Sequence, residues 1–189
     1  MTRPRDESID ERVLEVTRQH LAAHGVEGLS LAAVAQEAGT SRQAVYRRWP
    51  GKAELITSAI AAMAEAAPVP ATDDPFADLV AELEAFRKGV SRPDGLSLVG
   101  TMLQRGTDPE LLRLYREKLV EPRRTRLRAI LQRAQKQGLL DPDGDLKLAV
   151  ASLTGSFYAL SLAGKKTGKD WPQRAAAHAW RALGGSRLT

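Results

Sequence analysis

The chain has 189 residues, 43% of them hydrophobic, three histidines, no cysteine and a formal net charge of +5. That length allows one large or two small domains with a real core, and the missing cysteine excludes disulfides, thiol redox chemistry and cysteine–zinc sites. No apolar run approaches the roughly 20 residues of a membrane span, and the opening MTRPRDESIDERV lacks the apolar stretch of a signal peptide, so a soluble cytoplasmic protein is expected.

Ser8 or Asp10 caps the first predicted helix, whose apolar positions Ile9, Val13, Val16, Leu21 and Ala22 recur at helical spacing up to His24-Gly25. His20 and His24 share a face of it, but two neutral nitrogens without a third ligand give no metal site, and no cofactor is expected. Ser30 caps a second helix with a Leu31, Val34, Ala35 stripe, ending at Gly39 after about two turns. Ser41 caps a third short helix to Trp49, which Pro50 ends. Lys52 opens a fourth through Leu55, Ile56, Ile60 and Met63.

The proline-rich stretch from Pro68 to Pro75 then marks a boundary, giving residues 1–67 as one domain and 68–189 as another. Phe76, Leu79, Val80, Leu83 and Phe86 predict one helix. Leu96, Val99, Met102 and Leu103 predict a short one. Residues 111–134 predict a long helix that Pro122 bends or divides. Leu146, Val150, Leu153, Phe157 and Leu160 predict another. Asp170-Trp-Pro172 opens the last, through Ala176 and Trp180. No run alternates with period two, so the fold class is all-α: an N-terminal three-helix helix-turn-helix unit followed by a C-terminal helical domain.

Charge is unevenly spread. Residues 1–67 hold eight Lys/Arg and nine Asp/Glu, and 68–189 hold twenty and fourteen. Bulk charge therefore does not make the N-terminal part a nucleic-acid binder. The local stretch GTSRQAVYRRWPGK, 39–52, has four cations, two aromatics and no acid. Two short helices joined at Gly39-Thr40 form a helix-turn-helix whose second helix enters the major groove N-terminal end first. Arg42 at its leading end suits guanine, Gln43 suits adenine, and Ala44 can meet a thymine methyl. Val45 and Trp49 face inward. Ser41, Tyr46, Arg47, Arg48 and Lys52 flank the groove, where hydroxyls and cations bind phosphates or base edges. The alternative is a short connector with a solvated basic face, which the turn glycine, cap serine and terminating proline do not require.

The segment LSLAAVAQEAGTSRQAVYRRWPGKAEL, 29–55, resembles the tetracycline repressor (TetR) family, with similarity over about residues 9–60. The resemblance implies DNA contacts from Ser30, Thr40, Ser41, Arg42, Gln43, Ala44, Tyr46, Arg47, Arg48 and Lys52. Thr40 stands where valine is common, Arg48 where histidine is common, and Trp49 in place of the usual phenylalanine. Arg3 and Arg5 could form a basic arm to the minor groove, a disordered tail being the alternative.

The family's partners are double-stranded DNA, a second copy of the chain and a small-molecule effector. The last two helices are expected to form the homodimer face, with Leu153, Leu160, Ala176 and Trp180 in it; the same stripes also suit an intrachain core. Phe86, Leu98, Met102, Tyr115, Phe157 and Tyr158 are expected to line the effector pocket, ordinary core being the alternative. Nine Lys/Arg between 113 and 136 suggest an anionic effector or a solvated face. The expected function is a ligand-released repressor on an inverted-repeat operator. The alternative is an operator-binding dimer governed by a protein partner or by abundance. An architectural DNA binder would need an even basic surface that 1–67 lacks. The 141–145 DPDGD turn misses calcium-loop spacing, 164–169 misses phosphate-loop spacing, and no serine has a base partner, so no enzyme is expected.

Overall fold

The structure, a computed structural model, describes residues 7–64, 71–91, 95–104 and 106–186; within these, nothing is said of the side chains of Glu7, Met63, Ala64, Ser97, Leu98 and Thr101. Arg3, Arg5, Pro68 and Pro70 lie outside it. The helices in chain order are α1 (Glu7–Gly28), α2 (Leu31–Glu37), α3 (Arg42–Arg48), α4 (Lys52–Ala64), α5 (Pro75–Val90), α6 (Gly95–Met102), α7 (Pro109–Tyr115), α8 (Glu121–Lys136), α9 (Leu146–Leu162) and α10 (Trp171–Ala182). There is no strand among the described residues.

Two compact units emerge, and they do not follow the linear boundary near residue 67. One comprises Met1–Glu65 with Val90–Leu119, the other Ala66–Gly89 with Val120–Thr189. The reason is an apolar stripe that runs from α7 into the turn after it: Leu111, Leu114 and Leu119 are buried in the same core as Val13, Val34, Val45 and Leu55. Burying each such side chain contributes about 1.5–3 kcal/mol, which draws a segment distant in sequence onto the N-terminal helices.

In the first unit α1 packs on α4 and on α2, α2 on α3, and α4 on α7. Gly25 interrupts α1 with φ 65° and ψ −174°. A side chain is strained at that φ. The break sets one further turn, through Gly28, off the main axis. Expected and observed ends thus differ by that turn.

In the second unit α8 and α10 pack on α9. Ahead of α8 lies a π-helical turn, Arg116–Val120. Pro122 explains it: a proline has no N–H for the carbonyl four residues back and its ring crowds that carbonyl. Widening the preceding turn relieves the clash. The division expected at Pro122 therefore takes the form of a π turn.

Two carboxylates are buried on α5, Asp78 and Glu82, and α8 supplies their partners. Arg126 Nε donates to Glu82 at 2.8 Å, and Arg133 is paired with Asp78. Asp78 also accepts from the Thr72 hydroxyl at 2.7 Å and the Thr72 amide at 3.0 Å. Burial alone would push the Asp78 carboxyl up; the Thr72 bonds and then Arg133 outweigh it and hold the group below the usual carboxylate range. No helix among the described residues is long and apolar enough to cross a membrane.

Candidate nucleic-acid interface

The reading head is made by local capping. The Ser30 hydroxyl accepts from Ala33 N–H and starts α2. The turn after α2 is closed by Gly39 N–H to the Gln36 carbonyl at 3.1 Å and Thr40 N–H to the Ala35 carbonyl at 2.9 Å. That bond pair needs a left-handed residue between the helices, and Gly39 supplies it with φ 66°. Ser41 then accepts from Ala44 N–H at 3.1 Å and starts α3. Val45 is wholly buried and Trp49 nearly so, fixing the rotation of α3 about its own axis.

With Val45 inward, Ser41, Arg42, Gln43, Tyr46 and Arg47 are exposed, and Ala44 is half-buried beside them. Arg42 lies over the Tyr46 ring, its guanidinium carbon 5.3 Å from the centroid, and reaches the Tyr46 hydroxyl at 3.4 Å. This i, i+4 stack holds the leading arginine along the helix surface. No acid occurs on α3.

Two expected contacts are engaged within the unit. Arg48 is paired with Asp10 of α1, both side chains mostly buried, and its Nη1 reaches the Ala44 carbonyl at 3.4 Å. Its guanidinium joins the end of α3 to α1, away from the exposed row. Lys52 Nζ donates to the Glu27 carbonyl at 3.1 Å, which leaves the ammonium two further donors. Thr40 is half-buried at the turn, while Ser30 is exposed at the start of α2.

Sequence reasoning missed the tethers that aim this head. Besides Asp10, Arg12 Nε donates to the Ala38 carbonyl at 3.4 Å, and His20 Nε2 is 2.8 Å from Glu37 Oε2. Charged residues on the predicted α1 were visible, but not the partners 17 to 38 positions away.

The expected pocket residues do not form one group. Phe86 and Phe157 belong to the second unit and are 2% exposed. Their rings lie 5.5 Å apart, with Tyr158 5.7 Å from Phe86 and Trp171 5.0 Å from Phe157. These rings pack edge to face on one another, and Arg123 covers Phe86 at 5.0 Å. Met102 and Tyr115 pack on the core of the first unit, and the side chain of Leu98 lies outside the described residues. Five of the nine cations between 113 and 136 are engaged: Arg113 with Glu110 and Glu117, Lys118 with Glu54, Arg123 on Phe86, Arg126 with Glu82 and Arg133 with Asp78. This argues for structural use of that stretch over an anion site.

The four expected dimer residues are placed as follows. Leu153, Ala176 and Trp180 are core of the second unit, at most 4% exposed, with Trp180 edge to face with Phe76 at 5.3 Å. Leu160 alone of the four is exposed. The open face of α9 is the opposite stripe, Leu148, Ser152, Gly155, Ala159 and Leu162, at alternating spacings of four and three; Leu148 is 67% and Leu162 89% exposed. Between α9 and α10, Leu148 and Ser152 line a groove with His178 and Ala182.

Comparison with known proteins bears on both halves. Residues 13–59 match the family described as bacterial regulatory proteins, tetR family, and residues 69–179 match the tetracyclin repressor-like, C-terminal domain. The HTH-type transcriptional regulator YdeS of Bacillus subtilis (strain 168) is 22% identical over 99% of this chain and 96% of its own. AqdR of Rhodococcus erythropolis, also an HTH-type transcriptional regulator, is 30% identical over 78% of this chain and 72% of its own. The crystal structure of the TetR family transcription regulator SCO0332 superposes with a TM-score of 0.67 and 26% identity, over 93% of this chain and 98% of that one. The flavonoid-responsive regulator FrrA shares the fold, with a TM-score of 0.67 and 21% identity over 94% and 95%.

Proposed function

Because the chain belongs to the TetR family and is a helix-turn-helix transcriptional regulator, we propose that it binds an inverted-repeat operator as a homodimer, represses from it, and is released by a small molecule. The observation that carries this reading is the exposed, acid-free row on α3. Arg42 pairs with guanine, Gln43 with adenine, and Ala44 meets a thymine methyl. Ser30 and Ser41 use an oxygen lone pair for capping, which leaves each hydroxyl proton to donate to a phosphate. Tyr46, Arg47 and Lys52 take phosphates, and Thr40 lies at the edge of the contact. Arg48 positions α3 through Asp10.

A single reading head spans one half-site, and two-fold symmetric recognition needs a second copy. The exposed Leu148–Leu162 stripe of α9 with the adjoining side of α10 supports that pairing: its alternating spacing of three and four suits helices packed side by side, and Gly155 and Ala159 permit close approach. The helix-turn-helix within residues 1–67 then reads DNA, and α9 and α10 within 68–189 pair. Release is a population shift between dimers that do and do not fit both half-sites, with coupling of about 1–3 kcal/mol.

The packed aromatic cluster favours a second reading, control by a protein partner or by abundance. The test for the main reading is selection of bound duplexes from a random library at near-physiological salt. An enriched inverted repeat is expected. Absence of enrichment, with affinity collapsing as salt rises, would mean purely electrostatic binding and sink the reading.

A further inference from the structure

The open stripe of α9 is graded in size. Leu148 and Leu162 stand at its ends, 67% and 89% exposed, with Ser152, Gly155 and Ala159 between them. The grading is symmetric, since Leu148 and Leu162 each lie seven residues from Gly155. The chain itself needs no glycine at that centre: an added Cβ would meet no atom of the described residues within 4 Å. Glycine inside a helix is less stable than alanine, and close approach of another backbone is what gives it a use. The two ends of α9 also carry opposite charge. Ahead of it, Asp141, Asp143 and Asp145 are exposed. The Asp141 N–H donates to the Leu183 carbonyl at 2.8 Å, which brings the end of α10 to the same side. The three carboxylates outnumber the cations there, Lys147 and Arg181. Beyond the other end, exposed Lys165, Lys166 and Lys169 outnumber Asp170, which Arg174 engages at 3.4 Å. Asp145 and Lys165 each lie ten residues from Gly155, so the charge polarity has the same centre as the apolar stripe.

We propose that α9 accepts α9 of a second copy, antiparallel, with the two-fold axis at Gly155. In a two-fold pair every contact from one position to another is repeated in reverse. Leu162 of each copy then covers Leu148 of the other. It enters the groove of about 310 Å³ where Leu148 and Ser152 meet His178 and Ala182 of α10. Gly155 lies on its own counterpart, where the helices come closest. Asp145 of each copy meets Lys165 of the other. A parallel pair would set carboxylates on carboxylates and ammoniums on ammoniums, so the charge pattern fixes direction and register. It also disfavours partners without the same polarity. The occupant is a second copy because one stripe supplies both halves of the contact. The proposal rests on the homodimer reading above and adds to it the axis, the direction and the occupant of the groove.

The chain has no cysteine, so an introduced thiol reports on one position alone. Leu148→Cys and Leu162→Cys full-length chains are expressed singly and together and then oxidised. Both leucines are exposed, so neither change removes core. With the axis at Gly155, position 148 lies beside 162 of the other copy. It lies twice seven residues of helix, about 21 Å, from its own counterpart, and a disulfide needs Cα atoms within about 7 Å. The co-expressed chains are expected to give a mixed disulfide dimer, and neither variant alone should cross-link. Self-linked chains of either variant, or no mixed product while the parent chain sediments as a dimer, would overturn the proposal. Gly155→Leu is the second arm. Its dimer dissociation constant should rise at least about tenfold in sedimentation, with helix content unchanged in circular dichroism; unchanged dimerisation would rule out the axis at Gly155. Failure of the homodimer reading is distinguishable, because the parent chain is then a monomer, whereas a parent dimer with the wrong cross-links removes only this register.

Discussion

On α3, Arg42 and Arg47 stand in solvent, whereas on α8 Arg126 and Arg133 lie against Glu82 and Asp78, two carboxylates at most 4% exposed. The residue type is the same and the physics opposite. A buried carboxylate away from water is costly unless paired and hydrogen-bonded, so the second unit needs its arginines to stay folded. The reading head has no acid on α3 to meet, so its guanidiniums remain hydrated and available to phosphate or guanine. Arg48 lies between these cases, on the recognition helix but paired with Asp10. Pairing and burial, and not basic character, separate the arginines open to solvent from the arginines that hold the fold.

The sharpest way to break this contrast is Asp78→Ala. It strands Arg133 and the Thr72 donors, and stability should fall by about 3 kcal/mol, the lower end for a broken buried pair because Arg133 is partly exposed. Urea denaturation at fixed protein concentration measures it. The pH dependence has a defined sign. A folded pKa held below the unfolded one stabilises the fold above about pH 4 and loses that contribution as pH falls through the folded value. The penalty of Asp78→Ala should therefore be full at neutral pH and shrink in acid; a penalty constant with pH would assign it to packing alone.

Arg42→Ala should leave stability within about 0.5 kcal/mol and relax discrimination at one base pair by about 1–3 kcal/mol. Competition binding against single-substituted operators checks this, and equal loss on every duplex would make Arg42 a phosphate contact. Arg48→Met should do the reverse, lowering stability by about 1–2 kcal/mol and weakening all duplexes alike; restored affinity in a charge-swapped Asp10→Arg, Arg48→Asp chain would identify the pair as positioning. The smallest expected effect is Arg47→Ala. Its affinity loss should be uniform, with the salt slope reduced by about one, and a change in base preference would move Arg47 to the reading row.

Local features were legible in the sequence. The serine caps, the left-handed Gly39 and the inward Val45 and Trp49 each depend on a few neighbouring residues, and all are found in place. The exposed side of α9 was not legible, because a helical repeat shows that α9 has an apolar stripe without showing what covers it. Leu153 and Trp180 turned inward, while Leu148 and Leu162 stayed open. One missed signal was present: Asp78 and Glu82 are four apart within the Leu79–Leu83 stripe, so both acids fall on a face that is otherwise buried. That spacing asks for cations from another helix, and Arg126 and Arg133, seven apart, fit the request.

By itself the sequence determined the helical class, the capped helix-turn-helix and the identity of the residues on its leading end, since each follows from propensity, capping and spacing over a few residues. Tertiary structure alone decided that α7 joins the N-terminal core, that Arg48 is tied to Asp10 while Arg42 and Arg47 stay open, and that Phe86 and Phe157 stack on neighbouring rings. Those outcomes depend on pairings between residues tens of positions apart, where burial and charge compensation select the partner and no local pattern encodes it.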